Sequence, residues 1–314
     1  MKICILGSGA LGSSIGGVFT EAGSEVYLID PWAGHVNAMN RHGLKLREGS
    51  SERVVKVRAA TDCLGIGPAD LILVLVKSYH TRDAIEKATS LVGDKTMVLS
   101  LQNGLGNEEI LSEVVGKGHV LGGRTYAGGV LLGPGHVITG RKGKKTYIGE
   151  LDGRATERVS KVAREFSQAG LETVISSNII GTMWDKLLVN VATGALSGIT
   201  GLPYGGLYKV KEVMECAVEA VSEGIAVARA GGVELTITDP KEIWFKAAEN
   251  LPDEFKASML QDIEKGSRTE IDFINGSVVR LGERHGIPTP VNMALVVGIK
   301  GIERRLMKFG KPNQ

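Results

Sequence analysis

The sequence predicts an α/β fold: a doubly wound parallel sheet in the first half and an all-helical second half. Three observations carry that expectation. Short β-branched runs alternate with helical patterns through the first half, a glycine-rich turn joins the first strand to the first helix, and strand signal vanishes past about residue 178.

In chain order, Lys2–Leu6, Glu25–Asp30, Val54–Ala59, Leu71–Val76 and Met97–Leu101 read as strands. The fourth (LILVLV) is apolar on both faces, as suits a central strand covered by helices. Ala10–Gly23, His35–Gly43, Thr81–Leu91 and Asn107–Val115 read as helices with glycine near one end. Val137–Gly149, which holds Gly140 and Gly143, reads as an antiparallel hairpin. Arg154–Ala169 reads as a helix and Glu172–Ile175 as a last strand. Beyond them, Ile180–Leu196, Leu207–Ala230, Pro240–Glu249, Glu270–Gly286 and Val291–Met307 favour helix. In the fourth of these, Ile271, Ile274, Val278 and Leu281 recur at 3-4-3 spacing, one apolar stripe, until Gly286 and Pro288 stop it. Two domains follow: 1–175, a Rossmann-type dinucleotide-binding domain, and 176–314, a helical substrate and catalytic domain.

Composition removes other classes. The 37 basic and 35 acidic side chains leave a net charge of +2, which gives no electrostatic reason to expect nucleic acid or an anionic membrane as partner. No apolar run approaches the ~20 residues of a membrane span, and Gly7 ends the opening MKICIL stretch before it could serve as an export signal. Cys4, Cys63 and Cys216 are odd in number and far apart, which predicts reduced thiols in the cytoplasm. No two of the six histidines stand at metal-ligand spacing, so no metal is expected. Glycine is the outlier: 43 of 314 residues, twice the usual ~7%, with no repeat to absorb it. Those glycines serve tight turns and close backbone approaches.

Gly7-Ser8-Gly9-Ala10-Leu11-Gly12 is GxGxxG placed after a strand and opening a helix. The first glycine allows the tight turn, the second lets a pyrophosphate approach the backbone, and the third lets the helix lie close on the strand. The helix N-terminus faces the phosphate charge. Asp30, 18 residues beyond Gly12, either accepts the ribose hydroxyls of NAD and repels the 2′-phosphate of NADP, or simply starts the Asp30-Pro31 turn. The ribose role is the favoured one. Gly12-Ser13-Ser14-Ile15-Gly16 matches the GxSxG of hydrolases, but Ser14 falls inside the predicted helix rather than at the turn a nucleophile elbow needs. A methyltransferase is disfavoured by the intact third glycine and the helical second half.

Three later segments carry candidate chemistry: Gln102-Asn103-Gly104, Trp184-Asp185-Lys186-Leu187 through Asn190, and Arg268-Thr269-Glu270-Ile271-Asp272 through Asn275-Gly276. Lys186 and Asn190, four apart, share one helix face. Hydride delivery to a carbonyl carbon leaves charge on oxygen, which an ammonium can stabilise and then protonate. Alone, such a Lys–Asn pair reads as a solvated face, and Glu270 as a charge complementing a helix dipole.

Together with Lys77 and Ser258-Met259…Asp262, these motifs span essentially the whole chain, and in order and spacing they resemble the ketopantoate reductase (2-dehydropantoate 2-reductase) family. The resemblance implies a Rossmann domain joined to a helical domain with the active site between them. It makes Lys186 the general acid and gives Glu270 a catalytic role supporting substrate and cofactor. Gly7, Ser8, Gly9, Ala10, Leu11, Gly12, Asp30, Lys77, Asn103, Ala127 and Glu270 become the cofactor-binding set, and Asn103, Lys186, Asn190 and Ser258 the substrate-binding set. The implied reaction is NAD(P)H-dependent reduction of ketopantoate to pantoate, on the route to pantothenate and coenzyme A. NADPH is the family average, whereas Asp30 followed by Pro31, where many members carry an arginine, favours NADH. Positions where members often carry further substrate-binding asparagines hold Gly194 and Tyr204. The alternative is an NAD-dependent D-2-hydroxyacid dehydrogenase of the same family acting on a branched or aromatic 2-oxo acid, whose members the stretch Val26–His35 resembles. A non-catalytic NAD-binding sensor is the remaining reading, disfavoured because Lys186, Asn190, Ser258 and Glu270 would then have no reason to co-occur. The partners expected are a small 2-oxo acid, no nucleic acid and no membrane, with a homodimer left open.

Overall fold

The computed structural model describes residues 1–309. Its elements are β1 (Lys2–Leu6), α1 (Ala10–Glu21), β2 (Glu25–Ile29), α2 (Ala33–His42), β3 (Leu44–Glu48), β4 (Ser51–Val55), β5 (Arg58–Ala60), β6 (Leu71–Val74), α3 (Thr81–Lys87), β7 (Met97–Ser100), α4 (Asn107–Val115), β8 (Val120–Thr125), β9 (Gly128–Gly133), β10 (His136–Gly140), β11 (Thr146–Gly149), α5 (Glu157–Gln168) and β12 (Thr173–Ile175). Among the described residues only helices follow: α6 (Ile179–Thr200), α7 (Tyr204–Leu207), α8 (Lys211–Ala230), α9 (Pro240–Ala248), α10 (Ser258–Glu264), α11 (Asn275–His285) and α12 (Pro290–Phe309). The chain forms two compact units, Met1–Gln102 with Asn107–Ile179, and Asn103–Gly106 with Ile180 onward. Among the described residues no helix is long and apolar enough to cross a membrane.

In the first unit an eight-stranded sheet runs β12-β11-β8-β7-β6-β1-β2-β5. From β8 to β5 every neighbouring pair is parallel. This is the doubly wound order, with β6 and β7 buried residue by residue because helices cover both faces. At the far edge β11 runs antiparallel to β8 and parallel to β12. A second sheet, β4-β3-β10-β9, also packs on α1. The helix can lie between two sheets because it is thin where they meet it: a Cβ at Gly16 would stand 2.3 Å from Leu28 of β2, and one at Gly17 2.7 Å from Leu46 of β3. Ile15, Phe19, Leu28, Leu44, Leu46 and Val137 then share one core.

Several expected elements differ. Val137–Gly149 is not a hairpin: β10 pairs with β9 and β3, while β11 pairs with β8 and β12, so residues 141–145 carry the chain from one sheet to the other. Val54–Ala59 divides into β4 and β5, which lie in different sheets. The glycine-rich strands β8 and β9 have little strand signal; in β8, a Cβ at Gly123 would meet Leu99 at 2.6 Å, so tight packing holds the place of β propensity. Glu270–Gly286 is broken at Ile274 (φ −101°, ψ −99°) into a short 3₁₀ turn, Ile271–Phe273, and α11, with Ile271, Ile274 and Val278 still buried.

A buried polar chain ties the C-terminal ends of β6 and β7 together. The Gln102 amide donates to the Val76 carbonyl and to the Thr81 hydroxyl, both at 2.8 Å. Thr81 donates to Asn107 at 2.9 Å, and Ser100 donates to Gln102 at 3.1 Å. Next to Ser100 lies the buried Glu108, whose carboxyl is pushed up to about 8 by burial, against the opposing pull of a backbone N–H. Its proton is held by the folded state and lost by the unfolded chain above the ordinary value of 4.5, so this contribution is fully present below pH 4.5 and declines as pH rises toward 8. Glu108→Gln, which stays neutral, is expected to flatten that decline by a few kcal/mol, checked by denaturant titration across the interval; an unchanged pH slope would mean that Glu108 is ionised in the fold.

Candidate active site

The glycine-rich turn is built as its sequence requires. Gly7 has φ +93°, and a Cβ there would meet the Val76 backbone nitrogen at 2.6 Å. A Cβ on Gly12 would stand 2.0 Å from the Gly7 carbonyl oxygen, so α1 can leave β1 this tightly only without a side chain there. Gly9 is different: its Cβ would meet nothing within 4 Å, and its φ of −59° suits any residue. The protein's own packing makes no demand for glycine at that point, whereas a ligand lying against the backbone would. No side chain caps α1 at Gly9, and no acid occupies its first turn, so the helix end keeps N–H groups for an anion. Ser8 Oγ is buried and has no hydrogen-bond partner. These features fit a dinucleotide pyrophosphate.

Two side chains hold the turn. Asp30 directly follows β2; its Oδ2 accepts the Ser8 N–H at 2.9 Å and its Oδ1 the Trp32 N–H at 3.0 Å. The carboxylate therefore starts the turn after β2 and also stands against the glycine-rich turn, with lone pairs left on both oxygens. His35 in α2 is buried; Nδ1 accepts the Gly135 N–H at 2.9 Å, so Nε2 carries the proton and donates to the Ser8 carbonyl at 2.8 Å. The Ser13 hydroxyl donates to the same carbonyl at 2.6 Å. Across a planar trans peptide the Gly9 N–H points opposite to that carbonyl, away from the buried imidazole. Neither His35 nor Ser13 has a sequence signal for this role, because both act through contacts 5 to 27 residues away from Ser8. Lys77 is half-buried just before the Ser78–His80 turn, and Ala127 is half-buried after β8, its N–H donated to Thr125 Oγ1. Ala127 leads into β9, where a Cβ at Gly129 would lie 3.3 Å from the Ala10 carbonyl, beside the first turn of α1. Ser14, of the hydrolase-like pattern, is buried inside α1.

The second unit gathers the other candidates. Lys186 and Asn190 are half-buried one turn apart on α6. Gly194 continues that stripe, and its Cβ would have only Met259 Cε for company, at 3.7 Å; at Gly198, by contrast, a Cβ would strike Ile299 and Ile263 below 3 Å. Thus α10 packs along α6, and the exposed Ser258 opens α10 beside Met259. Asn103 belongs to this unit through its neighbours: the Leu105 N–H donates to the Phe273 carbonyl at 2.9 Å, and a Cβ on Gly104 (φ +84°) would stand 2.4 Å from that oxygen. The Asn103 segment is thereby docked on the turn that Glu270 begins. Glu270 itself is buried, and its carbonyl closes the turn by accepting from Phe273 and Ile274. Among the described residues no group of three His, Cys, Asp or Glu side chains is placed to hold a metal.

The family model described as ketopantoate reductase PanE/ApbA matches residues 3–153, and its C-terminal counterpart matches 178–303. A 2-dehydropantoate 2-reductase of Pyrococcus horikoshii is 39% identical over 96% of this chain and 98% of its own. The crystal structure of a PanE/ApbA family ketopantoate reductase from Ralstonia eutropha superposes with a TM-score of 0.90 at 36% identity, covering 98% of this chain and 100% of that one. D-mandelate dehydrogenase, in its ternary structure with NADH and anilino(oxo)acetate, also reaches 0.90, at 29% identity with the same coverage.

Gly9 and Gly12 predict separable effects. Gly9→Ala, at the N-cap of α1, should cost no more than about 1 kcal/mol of stability while weakening dinucleotide binding, because a bound pyrophosphate would need that space. Gly12→Ala should destabilise by about 1–3 kcal/mol or more through overlap with the Gly7 carbonyl. Thermal melts and fluorescence titration of both variants decide; equal loss of stability in the two would mean that Gly9 is structural.

Proposed function

This chain belongs to the ketopantoate reductase family, and from that premise we propose that it reduces a 2-oxo acid to the 2-hydroxy acid, with ketopantoate as its substrate. The family is NAD(P)-dependent, and the turn Gly7–Gly12 with Asp30, Lys77 and Ala127 is the set we assign to the cofactor. Bound there, the reduced nicotinamide supplies the hydride. The residues of the second unit do the rest. The Lys186 ammonium stabilises the charge that develops on the oxo oxygen and donates the proton. Asn190 and Ser258 hold the 2-oxo acid with neutral hydrogen bonds, Asn103 orients substrate and nicotinamide, and Glu270 accepts hydrogen bonds that position both. The observation that carries this reading is the shared helix face of Lys186 and Asn190 in a chain matched over nearly its full length by 2-dehydropantoate 2-reductases. The three free thiols suit the cytoplasm.

A second reading, a D-2-hydroxyacid dehydrogenase for branched or aromatic oxo acids, is favoured by the likeness to D-mandelate dehydrogenase and by the sterically undemanded Gly194. Initial rates against ketopantoate and a panel of branched and aromatic 2-oxo acids separate the two. The highest kcat/KM is expected for ketopantoate, and a preference for an aromatic acid would install the second reading.

Lys186→Ala is expected to lower kcat by about 10²–10⁴-fold with little change in NADH affinity, as loss of a general acid acts mainly in the transition state. A variant keeping more than about a tenth of kcat would remove Lys186 from that role.

For the cofactor we propose NADH. The Asp30 carboxylate stands against the glycine-rich turn, and Pro31 offers no cation to a 2′-phosphate. At an effective dielectric near 20, like unit charges ~4 Å apart repel by ~4 kcal/mol, which screening reduces to a preference of about tenfold or more. Asp30→Asn, which keeps an acceptor for one N–H, should narrow that preference, and the further change Pro31→Arg should invert it. Better use of NADPH by the unaltered protein would refute the assignment.

A further inference from the structure

Glu303 of α12 is buried, and its Oε1 accepts two hydrogen bonds from Thr269, one from the backbone N–H and one from the hydroxyl, each 2.7 Å. Lys300, one turn earlier, reaches the Asp272 carboxylate and stands 3.6 Å from Glu303 Oε2. Arg268 donates to the same Asp272 oxygen, Oδ2, at 3.1 Å. Glu270 lies between Thr269 and Asp272, so α12 grips the chain on both sides of it. A helix that served packing alone would place an apolar residue at 303, since a buried carboxylate is unfavourable unless hydrogen bonds and a counter-charge compensate it. Here the counter-charge is Lys300 and the hydrogen bonds come from the residue adjoining Glu270.

We propose that Glu303 is a positioning residue for the reduction: through Thr269 it fixes the backbone from which Glu270 projects, with Lys300 and Asp272 fixing the other side. The proposal rests on the role assigned to Glu270 above. Freed from Glu303, the turn can relax by a fraction of an ångström to about one, and a misplacement of that size can lower a rate by up to about 10²-fold.

The test is a double-mutant cycle on the full chain. Glu303→Ala should lower kcat about 10–100-fold, leave NADH affinity unchanged, and accelerate hydrogen exchange at the Thr269 amide. Glu303→Gln keeps an acceptor oxygen for both donors and should retain kcat within about threefold. The variant carrying both Glu303→Ala and Glu270→Ala should be no slower than Glu270→Ala alone. A loss that multiplies onto the Glu270→Ala loss, or a Gln variant no better than the Ala variant, would overturn the proposal. Should Glu303→Ala fail to fold, Thr269→Val removes the hydroxyl that donates to Glu303 and accepts the Ile271 N–H at 3.3 Å, whereas Thr269→Ser keeps it: a several-fold fall in kcat in the Val variant that the Ser variant does not share supports the brace, and an unchanged kcat or an equal fall in both overturns it. An unchanged kcat in Glu270→Ala would sink the role of Glu270 itself, and this proposal with it.

Discussion

The approach of Gly12 to the Gly7 carbonyl, where a methyl group would stand 2.0 Å from the oxygen, is the constraint on which the first unit depends. It lets α1 turn back over β1 within three residues, so the helix ends uncapped at the strand's C-terminal edge, where open α/β sheets bind their ligands. The same thinness continues along α1 at Gly16 and Gly17, which lets a second sheet close on the helix. The Ser8 carbonyl is held by His35 and Ser13, and the Ser8 N–H by Asp30, so this peptide segment is fixed before any ligand arrives. Preorganised N–H groups lose little freedom on binding, and that is the physical advantage of the arrangement.

The second unit follows a comparable logic with different parts. Its candidate groups sit on regular or braced elements: Lys186 and Asn190 on a 22-residue helix, Ser258 at the head of a helix packed along it, and Glu270 in a short turn gripped from α12. The Asn103 segment leaves its sequence neighbours to dock on that turn through Phe273. Gly104 has a structural reason, since its positive φ and its closeness to the Phe273 carbonyl exclude any side chain. Gly194 has none, so its bareness bears on what the stripe after Asn190 can accommodate.

Much of this was legible in the sequence. The strand–GxGxxG–helix order, the acid after β2 and the apolar run of β6 each depend on local pattern, and local pattern determines them. Lys186 and Asn190 were legible as one face because both lie inside one uninterrupted helix. What escaped was set by distant partners. Residues 137–149 look like two adjacent strands, and nothing local says that they join different sheets. The glycines of β8 lower its strand propensity while serving close contact with Leu99. The break at Ile274 is invisible to a periodicity that the buried Ile271, Ile274 and Val278 satisfy on both sides of it. His35 and Glu303 look like ordinary helix residues, and only the fold brings them to Ser8 and Thr269.

The proposed reduction moves a hydride directly from the nicotinamide to the 2-oxo carbon. Incubation with ketopantoate and NADH deuterated at C4, with each face labelled in turn, follows that hydrogen, with the product examined by mass spectrometry and NMR. One deuterium at C2 of the hydroxy acid is expected from one of the two labelled forms and none from the other. Product whose C2 hydrogen comes from solvent, or no product from any 2-oxo acid offered, would contradict it.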